Sequence, residues 1–230
     1  MDAWTTNTVQ TADRVSAFLW KVYGWMAVGL GLTALVAFAV AGSPALLGVL
    51  VGNRLVLFAL VIAELGLVFF LSARADRLAP GTAAGLFALY SALNGVTLSV
   101  ILLAYTGESV TMTFVVTAGM FGALALYGST TKRSLAGAGQ FFMMGLIGLI
   151  LASIIGMFWH NDALQFLISV VGVIVFTGLT AWDAQRLRQM ALALPPGRVG
   201  AYAVVGALSL YLDFINLFLM LLRFTGSRRD

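Results

Sequence analysis

A chain of 230 residues that is 61% hydrophobic and 10% charged differs from soluble domains, in which about a quarter of the residues are charged. Its mean hydropathy of +1.00 comes from long apolar stretches between short polar connectors, which predicts a single polytopic membrane domain. The absence of cysteine excludes disulfides and thiolate sites, and the single histidine, His160, excludes a multi-histidine metal site. The net charge of +4 is spread over short loops, so nucleic acid is not an expected partner.

The apolar stretches predict an all-α polytopic membrane protein with seven transmembrane helices. Each stretch is long enough to cross a bilayer: about 18 to 41, 55 to 73, 83 to 105, 110 to 130, 138 to 158, 163 to 185 and 201 to 224. Residues 1–17 are polar and lack the pattern of a cleaved signal, so we expect a cytoplasmic segment followed by an uncleaved first span. Residues 18–226 then form the transmembrane domain, and residues 227–230 form a short basic tail.

The distribution of basic residues predicts the orientation of the chain. Seven spans place nine of the 13 Lys and Arg residues on the side of the N-terminus and four on the other. The nine are Arg14, Lys21, Arg74, Arg77, Lys132, Arg133, Arg186, Arg188 and Arg198. The positive-inside rule therefore predicts a cytoplasmic N-terminus and an outside C-terminus. The basic tail argues weakly for the alternative, a seventh segment that re-enters and leaves Arg228 and Arg229 inside.

Small and polar residues within the spans predict helix packing. We expect close helix contacts at small residues of the first, third and fourth spans, namely Gly24, Gly29, Gly31, Gly81, Gly85, Gly119 and Ala123. Asn94 in the third span and Thr180 in the sixth either line a polar pathway or hold helices together, the commoner role of such residues.

The second span carries an acid, Glu64, near its midpoint. An acid embedded in a membrane needs a partner or a proton, and two interpretations remain open. In the first, Glu64 forms an ion pair with Arg223 of the seventh span. In the second, Glu64 is protonated and hydrogen-bonded within the bundle.

The seventh span carries a second embedded acid, Asp213, with Asn216 three residues further on the same helical face. The sixth span brings Asp183 to a membrane edge, and the chain then turns at Pro195, Pro196 and Gly197. Asp183 lies 13 residues before Pro196 and Asp213 lies 17 after it, so an antiparallel hairpin places both at similar depth. A charge at the centre of a span costs roughly 2.5 to 3.5 kcal/mol, so Asp213 must face protein or water.

Four stretches resemble the bacterial branch of the Bax-inhibitor family, the transmembrane Bax inhibitor motif proteins. They are VYGWMAVGL at 22–30, FVVTAGMFGALALYGSTTKRSL at 114–135, GLTAWDAQRLR at 178–188 and LYLDFINLFLMLLRFTG at 210–226. The resemblance implies seven helices with the seventh in the centre. This chain departs from the family pattern beside the first acid, where Trp182 replaces the usual tyrosine and Ala184 the usual threonine.

The resemblance also implies a function, a pH-sensitive Ca²⁺ leak gated by an aspartate pair. Residue by residue, the pair is Asp183 and Asp213, and the arginine that contacts it as a latch is Arg74, with Arg77 as the weaker match. Two carboxylates in contact share one proton, so the pair can act as a pH switch. Ca²⁺ prefers oxygen ligands, and two acids with Asn216 and water form a weak site that suits permeation. We expect no bound cofactor, and membrane lipid, protons and Ca²⁺ as partners.

Three alternatives stand beside the channel. In the first, the aspartates are a structural pair, with Asp183 bonded locally to Arg186. In the second, they belong to an intramembrane aspartyl protease, which is disfavoured because Trp182 and Leu212 precede the acids where that family has tyrosine and glycine. We therefore expect no enzyme activity. In the third, which the resemblance implies because bacterial relatives are associated with such a role, the protein regulates a membrane-bound quality-control protease.

Overall fold

The computed structural model describes residues 3–159, 161–195 and 199–229, so His160 and the turn residues Pro196 and Gly197 lie outside it. The described residues form eight α-helices and no sheet. The helices are α1 (Ala3–Ala41), α2 (Pro44–Gly52), α3 (Arg54–Ala73), α4 (Pro80–Ala104), α5 (Gly107–Thr130), α6 (Ala136–Phe158), α7 (Asp162–Ala193) and α8 (Val199–Thr225).

Seven of these helices are long and apolar enough to cross a membrane, which confirms the predicted seven-span, all-helical fold. The eighth element, α2, lies in the first connector and was not expected from the sequence. Pro44 begins it, a position where proline loses no helical hydrogen bond. Asn53 then caps α3, because its side chain accepts a hydrogen bond from the backbone N–H of Leu55 at 3.0 Å.

Two helices extend beyond the predicted spans. α1 begins at Ala3, so the polar segment before the first span is helical and continuous with it. α7 continues past residue 185 to Ala193, because no glycine or proline interrupts it before Pro195. The helical conformation is disfavoured for a residue that precedes a proline. Leu194 precedes Pro195, so α7 ends at Ala193.

The most buried of the seven long helices is α8. In its most apolar window 72% of the residues are buried, against 39% or less in the other six. This burial confirms the expectation of a central last helix. α8 also runs unbroken for 27 residues, about 40 Å, which favours a full span over a re-entrant segment.

The first of two compact units contains Met1–Ala104 and Gln189–Tyr211. In this unit α4 packs against both α1 and α3. Two glycines allow the closest approaches: a Cβ at Gly29 would lie 2.5 Å from the Phe87 ring, and one at Gly95 would lie 2.6 Å from the carbonyl oxygen of Thr33.

The second unit contains Tyr105–Arg188 and Leu212–Asp230. Its core joins α6, α7 and α8 through buried apolar residues: Leu149, Ile168, Val175, Phe176, Leu179, Leu217, Met220 and Leu221. α5 reaches α7 at Gly128, where a Cβ would collide with the carbonyl group of Ala181. The tail is held as well, because Ser227 bonds Thr106 and Ser109 at the start of α5.

The glycine prediction is right at Gly29 and wrong at five other positions. A Cβ at Gly24, Gly31, Gly81, Gly85 or Gly119 would meet no other atom within 4 Å in the described part of the chain. Sequence alone does not indicate which face of a helix is covered by a neighbouring helix. A glycine that faces lipid therefore cannot be distinguished by sequence from a glycine at a helix crossing.

Candidate functional site

Asp183 lies on α7, and 7% of its surface is exposed. Its Oδ1 atom is 3.7 Å from Nη1 of Arg186, the local pair considered from the sequence. The Arg186 guanidinium also lies over the ring of Trp182, 5.6 Å from its centroid. That ring occupies the space where Gly139 has no side chain, since a Cβ there would fall against it. Ala184, which stands where the family has a threonine, is fully buried.

Asp213 lies on α8, and 6% of its surface is exposed. Its helix turn is flanked by aromatic rings, because Phe214 packs edge-on against Phe114 and Phe121 of α5 at 5.4 and 5.5 Å between centroids. The Oδ2 atom of Asp213 is buried and has no hydrogen-bond partner within the described residues. Buried polar atoms are normally hydrogen-bonded, so this oxygen stands out.

The packing of α7 on α8 brings the two acids together. Gly172 contacts Met220, and Asp183 lies 11 residues after Gly172 while Asp213 lies seven before Met220. In an antiparallel pair these offsets place the backbone positions of the two acids four residues apart along the axis, roughly 6 Å. Asp183 is near enough to act electrostatically on Asp213.

This arrangement favours a shared proton or a bound cation. Two carboxylates in an apolar setting cannot both be ionised cheaply. No group of three or more acidic, histidine or cysteine side chains within the described residues could hold a resident metal ion. The amide nitrogen of Asn216, the third proposed ligand, donates to the carbonyl oxygen of Leu212 in its own helix at 2.8 Å.

Gln185 is a buried residue of this site that the sequence did not single out. Its Oε1 atom accepts from the backbone N–H of Leu135, and its Nε2 atom donates to the carbonyl oxygen of Arg133, both at 2.8 Å. The connector between α5 and α6 is thereby held against α7, two residues from Asp183. No sequence pattern indicates that a side-chain amide makes two hydrogen bonds to the backbone of a distant segment.

The arginines that the sequence proposed as partners of the acids are all exposed. Arg74 ends α3 in the first unit, is exposed, and lies over the Phe70 ring at 5.4 Å, while Arg77 pairs with Asp76 at 3.7 Å. Arg223 is exposed near the end of α8. The Arg74 latch and the pairing of Arg223 with Glu64 both stay predictions.

The buried acid of the first unit, Glu64, has hydrogen-bond partners on α4. Its Oε1 atom accepts from the Thr97 hydroxyl at 2.6 Å, and its Oε2 atom lies 3.3 Å from the amide nitrogen of Asn94. The sequence had left Asn94 between a pathway and a packing role. Here it bonds the carboxyl group and also Tyr211 of α8, 3.0 Å away.

A polar cavity of about 560 Å³ opens in the second unit, between the start of α5 and the end of α8. Hydroxyl groups and one carboxylate line it together with apolar side chains: Thr106, Glu108, Ser109, Met112, Thr113, Val116, Leu221, Thr225 and Ser227. Leu221 lies eight residues beyond Asp213 on α8, about 12 Å along the helix.

Comparison with known proteins identifies the family. Residues 15–230 match the family model described as inhibitor of apoptosis-promoting Bax1. The chain belongs to the Bax inhibitor family. It is 50% identical over 226 residues to the inner membrane protein YbhL of Escherichia coli K12, a match that covers 97% of each chain. An uncharacterised protein of Borreliella burgdorferi is 44% identical over 93% of each chain, and one of Deinococcus radiodurans is 43% identical over 95% of this chain and 94% of its own.

These matches confirm the resemblance seen in the sequence motifs. The family model covers α1 from residue 15 and the other six long helices in full, and the relatives match over nearly their full lengths. The chain is therefore a polytopic membrane protein of the Bax inhibitor family.

Proposed function

We propose that this protein is a pH-sensitive cation leak channel in which Asp183 and Asp213 form the gate. Sharing a proton holds α7 and α8 together at the pair. Loss of that proton leaves two like charges in an apolar site, and their repulsion opens the contact.

The observation that carries the proposal is that two buried acids lie on adjacent helices, near enough to interact electrostatically, and that Asp213 has an oxygen that no described residue bonds. A structural acid pair would be expected to satisfy its oxygens, since an unpaired buried acceptor costs about 1 to 3 kcal/mol. Acids embedded in membrane helices are rare and commonly belong to ion or proton pathways.

Ca²⁺ is the permeant ion we propose, because it is a hard cation that takes oxygen ligands. Two carboxylates with Asn216 fall short of its usual six to eight ligands, so the ion binds weakly and leaves readily. The cavity beside Glu108, near the end of α8, is the proposed approach of the ion to the pair. Arg74 is the proposed latch that holds the closed state.

The proposed location is the bacterial inner membrane, with a cytoplasmic N-terminus. The relative named YbhL is an inner membrane protein and half of its residues are identical. The excess of Lys and Arg on the side of the N-terminus supports the orientation.

The test is Ca²⁺ flux into liposomes that contain the purified protein, measured across a range of pH. The parent should show a pH-dependent flux, and Asp213→Asn should lose the pH response. Asp162→Asn is the matched control, because it makes the same change at an exposed acid of α7. Arg74→Ala should raise the flux, whereas Arg77→Ala should leave it unchanged if Arg74 is the latch.

Two results would overturn the proposal. An unchanged pH response in Asp213→Asn would remove the aspartate gate. Flux no greater than that of protein-free liposomes at every pH would remove the channel, and regulation of a membrane-bound protease would then take its place.

A further inference from the structure

A continuous chain of buried polar contacts crosses the first unit. Five contacts join six residues, and each is short enough to be a hydrogen bond. They run from Thr97 to Glu64 (2.6 Å), from Glu64 to Asn94 (3.3 Å), from Asn94 to Tyr211 (3.0 Å), from Tyr211 to Thr33 (2.6 Å) and from Thr33 to the carbonyl oxygen of Ser91 (2.8 Å).

An ionised Glu64 leaves this chain one hydrogen short. Thr97 and Asn94 then donate to the carboxylate, and Tyr211 donates to the Asn94 amide oxygen. The contact of Thr33 with Tyr211 and its contact with the Ser91 carbonyl both remain, and the single Thr33 hydroxyl hydrogen can serve only one of them. The Ser91 hydroxyl has no hydrogen-bond partner in the described part of the chain, so it does not supply the missing hydrogen.

A protonated Glu64 completes the chain when the Asn94 amide is turned over. The oxygen and nitrogen of an amide have nearly the same shape, so the surrounding network decides which way the group points. Glu64 then donates to Asn94, Asn94 to Tyr211, Tyr211 to Thr33, and Thr33 to the Ser91 carbonyl. With Thr97 still donating to Glu64, five hydrogens serve five contacts. Turning the amide beside an ionised Glu64 would instead face two acceptors to each other.

The charges of the first unit give an ionised Glu64 no counter-ion close by on its own elements. The nearest cations on α3 are Arg54 and Arg74, each ten residues away, or roughly 15 Å along the helix. No charged side chain occurs in α2, in α4, in residues 22–41 of α1 or in residues 199–211 of α8.

The titratable groups facing Glu64 are two tyrosines. Tyr90 of α4 and Tyr211 of α8 lie near it, and as neutral phenols they supply no charge to balance an ionised Glu64. Arg223 lies 12 residues beyond Tyr211, about 18 Å further along α8.

We propose that Glu64 is a second proton-binding site, separate from the aspartate pair, and that its proton sets the direction of the hydrogen-bond chain through Asn94, Tyr211 and Thr33. Loss of the proton turns the Asn94 amide over and reverses the donors as far as Thr33. The link between α1 and either Tyr211 or the Ser91 carbonyl is then broken.

The test uses the small number of glutamates in the chain. Glu64 and Glu108 are the only two, so labelling the side-chain carboxyl carbon of glutamate with ¹³C gives two NMR signals from the intact protein. The variant Glu108→Gln, altered at an exposed position, identifies the signal of Glu64 without changing it. We expect that signal at the position of a protonated acid at neutral pH. A signal at the carboxylate position would overturn the proposal.

A matched pair of variants tests the chain itself. Tyr211→Phe removes one link, so the Glu64 signal should convert to carboxylate at a lower pH than in the parent. Tyr90→Phe also removes a buried hydroxyl that packs against Tyr211, but one outside the chain, and should leave the conversion pH unchanged. Equal conversion pH values in the parent and in Tyr211→Phe would overturn the role of the chain. Neither readout depends on ion flux, so the channel proposal can fail separately.

Discussion

The two units bury their acids in different ways. In the first unit both Glu64 oxygens contact side chains of α4, Thr97 and Asn94, inside a chain of polar contacts that a proton on Glu64 completes. In the second unit Asp213 keeps a buried oxygen that no described residue bonds, near a second acid. A carboxyl group with complete hydrogen bonds is held in place, whereas one that faces another acid gains from a proton or a cation. The comparison therefore separates an acid that fixes structure from acids suited to gating.

Replacing Glu64 should have the largest effect on stability. Glu64→Leu leaves the buried Asn94 amide and the half-buried Thr97 hydroxyl without their partner. A stranded buried group costs about 1 to 3 kcal/mol, and a half-buried one costs less. We expect the free energy of unfolding in detergent to fall by about 2 to 4 kcal/mol. Glu64→Gln should stay near the parent, because its amide can imitate a protonated carboxyl group. Glu108→Leu, at an exposed position, should change stability by less than about 0.5 kcal/mol. A Glu64→Leu variant as stable as the parent would show that the contacts of Glu64 do not fix the structure of the first unit.

Gln185→Leu should have the next largest effect, because the connector between α5 and α6 loses two hydrogen bonds to α7. We expect a loss of about 1 to 3 kcal/mol in the same unfolding experiment. The change should also disturb the pH response of Ca²⁺ flux, since Gln185 lies two residues from Asp183. Gln189→Leu, at an exposed position of the same helix, is a control that removes neither of these hydrogen bonds. A variant with lost stability and an unchanged pH response would limit Gln185 to a structural role.

Asp213→Asn should change stability by less than about 1 kcal/mol, because removing one charge also removes the repulsion within the pair. Its effect should instead appear in function, as the loss of pH-dependent flux. The same unfolding measurement applies, beside Asp162→Asn. Destabilisation as large as that of Glu64→Leu would make the pair structural and remove the difference between the units.

The smallest effect is expected for Arg186→Ala. Arg186 is 3.7 Å from Asp183 and about half exposed, and exposed ion pairs contribute at most about 1 kcal/mol. Without this cation the pair binds its proton more readily, so the midpoint of the flux curve should move to higher pH, by less than about one pH unit. A shift to lower pH would show that Arg186 does not act through the charge of Asp183. Arg188→Ala is the control.

Composition and the spacing of apolar stretches were enough to predict seven membrane helices, and the resemblance of four sequence motifs identified the family. Length and hydropathy alone satisfy the requirement that a bilayer places on a spanning helix. The two aspartates were also found from sequence, because an acid inside an apolar helix is rare and costly. The short helix α2 was not predicted, since the nine residues from Pro44 to Gly52 are too few to cross a bilayer and were assigned to the first connector.

The sequence could not show which residue each polar side chain forms a hydrogen bond with. Gln185, Thr97, Tyr211 and Thr33 are ordinary residues of their helices, and their roles depend on which helix face meets which neighbour. The sequence by itself determined how many helices cross the membrane and where embedded charge lies, because these follow from local hydrophobicity. Only the tertiary structure decided which acid has complete hydrogen bonds and which does not, because hydrogen bonds between helices depend on register and rotation that no local pattern encodes.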